Sequence, residues 1–151
     1  MPRILLAFLF VALPTFSQAA DDDAKTVAQA FLDKGAALFS DKDAPSLAAT
    51  YTDDAELVVV MKSPSETKYE SKRGTAEIEN FYRELFKSND PIQAKNTIEY
   101  ARHIDPDTLM VAGVFELHQG DSDLKLPFVQ IREKRGASWK IHHLRVFYVG
   151  K

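Results

Sequence analysis

Four runs rich in β-branched and aromatic residues fill the C-terminal part of the chain: Thr97–His103, Leu109–His118, Leu124–Glu133 and Trp139–Val149. Only short polar links separate them: Asp105, Pro106 and Asp107, then Gly120, Asp121 and Ser122, then Lys134, Arg135 and Gly136. Parallel neighbours need a crossover of about a dozen residues or more, so links this short impose an antiparallel meander. A meander must bury one face, and the rest of the chain has to supply the cover.

The cover is legible upstream. Ala24, Val27, Ala28, Phe31, Leu32, Gly35, Leu38 and Phe39 recur at three-four spacing, which predicts an amphipathic helix entered through Asp21, Asp22 and Asp23. A polar turn over 40–43 follows. Pro45 suits the first turn of a second, shorter helix running to about Tyr51, with Leu47 and Tyr51 on its inner face. Asp53 and Asp54 would close it. Glu56–Met61 reads as a strand and Lys68–Lys72 as a short polar edge strand. A third helix opens at Gly74 and Thr75, carries Ile78, Phe81, Tyr82, Leu85 and Phe86 on its apolar face, and stops at Pro91. The expected architecture is a single α+β domain: a curved antiparallel sheet with three helices on its concave face.

The first nineteen residues have the pattern of an export signal. Arg3 is followed by the uncharged apolar run Ile4–Leu13, by Pro14, and by the small residues Ser17 and Ala19. A membrane-spanning helix needs about 20 apolar residues, and Asp21 to Asp23 end this run. The expectation is a cleaved signal peptide at 1–19, a domain over 20–151, a periplasmic or secreted location, and no membrane association after cleavage. The chain has no cysteine, so it holds neither a disulfide nor a lipidated thiol. Its formal charge is −3, and losing Arg3 with the signal makes it one unit more acidic. An acidic domain lacks the basic footprint of a nucleic-acid partner.

The stretches Leu47–Leu57 (LAATYTDDAEL), Arg73–Ile78 (RGTAEI) and Gly136–His143 (GASWKIHH), with the spacing between them, resemble the cone-shaped superfamily of nuclear transport factor 2, ketosteroid isomerase and the SnoaL-like polyketide cyclases. The resemblance implies a cystatin-like roll of helices over a bent sheet, enclosing a cavity. Alignment places ketosteroid isomerase's tyrosine on Gly35, its aspartate base on Val59 and its oxyanion acid on Val129. Valine supplies neither a base nor an oxyanion donor, so steroid isomerisation is not expected.

If Val129 faces the cavity, the same pattern puts His142 there too, with His143 and Arg145 on the outer face. His142 is then the leading candidate for a general acid or base; the alternative is a half-buried histidine bonded to a neighbour. His118 and Glu116 share a strand face, either as an acid–base pair or as a solvated hairpin end. Arg132 and Arg145 lie on adjacent strands and either clamp a carboxylate or pair with surface acids. The expected cavity wall includes Tyr51, Leu57, Val59, Tyr82, His118, Val129, His142 and Leu144. His103, His118, His142 and His143 show no zinc-type spacing, and there is no Gly-rich phosphate loop, so neither a metal nor a cofactor is expected.

Three functions stay open: a module binding a small apolar or amphipathic molecule, a SnoaL-like lyase, isomerase or hydrolase using His142, and a dimeric interaction domain. The binding module is preferred. Strands apolar on both faces, such as 57–60 and 110–115, predict a homodimer packed sheet to sheet.

Overall fold

A computed structural model describes residues 16–150. Its elements run α1 (Phe16–Ser40), α2 (Ala44–Ala48), β1 (Tyr51–Lys62), β2 (Thr67–Arg73), α3 (Gly74–Leu85), β3 (Ile92–Asp105), β4 (Thr108–Gln119), β5 (Ser122–Arg135) and β6 (Ser138–Val149). The expected signal peptide lies, over 1–15, outside the described residues. Among the described residues no helix is long and apolar enough to cross a membrane.

The six strands form one open sheet in the order β2-β1-β6-β5-β4-β3. The meander β3 to β6 is antiparallel throughout, as the short links require. One pairing departs from the all-antiparallel expectation: β1 runs parallel to β6. More than half of the domain separates those two strands in sequence, leaving ample chain for the crossover that a parallel pair needs. β2 pairs only with β1 and is an edge; its residues are charged, apart from Thr67, Tyr69 and Ser71, which suits a strand open to solvent.

α1 buries Ala24, Ala28, Leu32, Ala36 and Phe39, a series one helical turn apart. Alanines at its start let the helix approach β3 closely. Phe39 at its end meets Phe86 and Phe115 edge-on, each at 4.9 Å between ring centroids. α3 seats Ile78 and Tyr82 against the same core. Gly74 allows the strand-to-helix reversal: its φ of 73° is one that side chains rarely adopt.

α2 is shorter than its apolar spacing suggested. Asp43 caps it, its carboxylate accepting the Ser46 N–H at 3.0 Å. Tyr51, expected on its inner face, is instead the first residue of β1, and Asp53 and Asp54 lie exposed within that strand. The cause is tertiary: the Ile141 N–H donates to the Thr50 carbonyl at 2.8 Å, docking this segment onto β6.

Candidate ligand-binding cavity

Beneath the helices lies a cavity of about 420 Å³. Its floor is made of rungs across three neighbouring strands. The first is Tyr51, Ile141 and Arg132; the second Leu57, Leu144 and Gln130; the third Val59, Val146 and Phe128; the fourth begins with Met61 and Tyr148. At about 3.3 Å of rise per residue, the first and fourth rungs stand about 20 Å apart. The first rung is sealed, with Tyr51 1%, Arg132 3% and Ile141 5% exposed. At the other end Tyr148 and Leu85 are 43% and 44% exposed and form the mouth.

Most of the polar groups gather at the sealed end; Asn96, which donates to the Leu32 carbonyl at 3.0 Å, and Tyr148 line the cavity elsewhere. The Tyr51 and Tyr82 hydroxyls hydrogen-bond each other at 2.7 Å. Arg132 donates through Nε to the Gln130 Oε1 at 2.9 Å and through Nη1 to the Trp139 carbonyl at 3.3 Å. Its guanidinium lies over the Phe31 ring, 3.8 Å from the centroid, a cation–π contact strong enough when desolvated to contribute about 2 kcal/mol.

Burial sets the protonation states. It pushes the Tyr82 phenol up to about 12, against smaller opposing pulls from Tyr51 and Arg132. It raises the Tyr51 phenol well above its ordinary value too, and Tyr82 adds to the effect. Burial also lowers the Arg132 guanidinium to about 9, while the two tyrosines pull it the other way. At neutral pH the cavity therefore holds two neutral phenols and one buried cation. Among the described lining residues these three are the titratable side chains at the sealed end; Tyr148 stands at the mouth.

Of the residues expected to line the cavity, Tyr51, Leu57, Val59, Tyr82 and Leu144 do, and so does Gly35. Val129, His118 and His142 do not. Val129 belongs to the other face of β5, and its neighbours Phe128 and Gln130 point inward instead. The correspondence with the oxyanion acid was therefore one residue out of phase.

His142 sits at a bulge: Ile131 pairs with His143 and Arg132 with Ile141, leaving His142 the extra residue. Ile141 and Leu144 both face inward as a result, and both histidines face out. His142 Nδ1 lies 3.2 Å from the Thr52 hydroxyl and 3.6 Å from Asp54, and His143 lies 3.4 Å from Glu56. A hydrogen bond from Thr52 holds the Asp54 carboxyl below its ordinary range. His142 is thus a half-buried surface histidine with neighbours, and a cavity acid or base it is not.

His118 bonds Asp123 at 2.6 Å and Glu116 pairs with Lys125, so they form no acid–base dyad. Arg132 and Arg145 lie on opposite faces and make no joint clamp. Among the described residues no cluster of three or more His, Cys, Asp or Glu side chains is placed to hold a metal.

No protein-family model and no curated protein matches the sequence. Solved structures do match in fold. A domain of unknown function with a cystatin-like fold from Nostoc punctiforme superposes with a TM-score of 0.69 at 12% identity, over 85% of this chain and 79% of that one. An NTF2-like protein of unknown function from Shewanella oneidensis gives 0.68 at 15%, over 82% and 98%. A ketosteroid isomerase-like protein from Erwinia carotovora gives 0.59 at 17%, over 91% and 99%. Helices cupped over a bent six-stranded sheet, with a cavity between them, give this chain the NTF2-like, cystatin-like α+β fold of these solved structures.

Proposed function

We propose that this protein is an exported binding module whose cavity takes up one small amphipathic molecule. The observation that carries the reading is the cavity itself. At about 420 Å³ it falls within the range of small-ligand sites, its wall is mostly apolar, and the Tyr51, Tyr82, Gln130 and Arg132 polar groups lie together at its sealed end. Catalysis by proton transfer needs a group that titrates near the working pH. Two raised phenols and a guanidinium offer none, so retention of a ligand is favoured over its conversion.

Dimerisation is part of the proposal. The sheet face away from the cavity carries Val114, Val129, Ile131 and Phe147, all only half-buried in the single chain. A second copy packed on that face would cover them. Native mass spectrometry of protein recovered from outside the cytoplasm tests all three parts. The expected species starts at Ala20, has twice the protomer mass, and releases a small molecule on activation. A retained leader defeats export, a single-protomer mass at micromolar concentration defeats the dimer, and failure to bind any member of an amphiphile panel defeats the binding reading.

A further inference from the structure

The geometry points to a monocarboxylate as the chemical class of the ligand, its carboxylate held by Arg132 at the sealed end and its apolar body running along the rungs to the mouth. This rests on the binding reading above and adds the head group to it.

Arg132 is only 3% exposed, yet its partners are a side-chain amide, a backbone carbonyl and an aromatic face. No carboxylate among the described residues pairs with it. A guanidinium has five N–H donors. Two are used, which leaves one on Nη1 and both on Nη2. An isolated buried cation is costly until an anion neutralises it.

The shape of those donors selects among anions. Parallel N–H groups on a planar fork match the two oxygens of a carboxylate. The Tyr51–Tyr82 pair spends one of its two hydroxyl protons internally, so the other is left to donate. A phosphate dianion would bring a second charge that nothing in the cavity offsets. A sulfate would turn a third oxygen toward apolar wall. The body follows from volume: at about 30 Å³ per water-sized unit, 420 Å³ holds roughly a dozen non-hydrogen atoms.

Calorimetric titration of the full mature protein at pH 7 with octanoate, 1-octanol, octyl sulfate and 4-phenylbutanoate tests this. Octanoate is expected to bind at least ten-fold tighter than octanol and octyl sulfate. Comparable affinity of 4-phenylbutanoate would extend the class to aromatic acids; affinity for it alone would restrict the class to them. Arg132→Gln should bring octanoate down to the octanol level. A readout needing no variant is pH: at pH 4, where much of the ligand is protonated, the preference for octanoate over octanol should shrink on the wild-type protein. Equal binding of acids and alcohol at pH 7 would overturn the head-group assignment while leaving the binding module intact, and octyl sulfate matching octanoate would overturn the carboxylate. If none of the four binds, the binding reading falls with it.

Discussion

Replacing Gly113 with alanine is expected to destabilise the protein by about 3 kcal/mol and lower its thermal midpoint by about 10 °C. Gly113 lies in β4 opposite Ile98 of β3, just before that strand's register shifts. A methyl group there would stand 2.1 Å from the Thr97 carbonyl oxygen and 3.2 Å from the Phe128 ring. The ring can rotate, but the carbonyl belongs to the backbone of the neighbouring strand. Relief therefore requires β3 and β4 to part, at the point where α1 rests on β3. A domain with about 5–15 kcal/mol of total stability feels such a loss strongly. The matched control is Gly35→Ala in α1, where the added methyl meets nothing within 4 Å. There the helix should gain about 0.5–1 kcal/mol. Thermal melts followed by circular dichroism compare the two; a Gly113→Ala midpoint within 2 °C of wild type would show that the strands do not approach so closely.

What the chain disclosed about itself depended on how local each signal is. The meander was legible because its turns are short and polar and its strands long. α1 was legible from a stripe repeated over four turns. The end of α2 was not, because Leu47 and Tyr51 at four-residue spacing mimic a helix face, and only the bond from Ile141 to the Thr50 carbonyl, across the sheet, makes Tyr51 a strand residue. The parallel pairing of β1 with β6 is likewise invisible to any short window. The cavity wall failed on phase. Along β5 the inward series is Leu124, Leu126, Phe128, Gln130 and Arg132, and a wall built on Val129 takes the opposite face of that strand. Yet β6 carries a usable warning. Trp139 and Ile141 are apolar at odd positions and Leu144, Val146 and Tyr148 at even ones, a change of phase across His142 and His143 that only a bulge explains.

Arg132 ties stability to function in opposite directions, and this can be measured. Burial lowers its ionisation from the ordinary guanidinium range to about 9 inside the cavity, which corresponds to about 4–5 kcal/mol against the charged form. Removing the charge recovers that cost. Arg132→Met also gives up about 2 kcal/mol of cation–π attraction to Phe31, part of which a thioether–aromatic contact restores. It leaves the Gln130 amide oxygen and the Trp139 carbonyl without this donor, at about 1–2 kcal/mol each. These terms nearly cancel, so the single variant should melt within a few degrees of wild type. Adding Gln130→Leu removes one stranded acceptor and lays another apolar side chain on the floor. The double variant is therefore expected to be about 2 kcal/mol more stable than wild type, with a midpoint about 8 °C higher. It should also have lost its preference for octanoate over octanol. Evolution keeps a destabilising group where it has a use. A double variant that is less stable than the wild-type protein would mean that the guanidinium is already compensated within the fold, and the case for an acidic ligand would go with it.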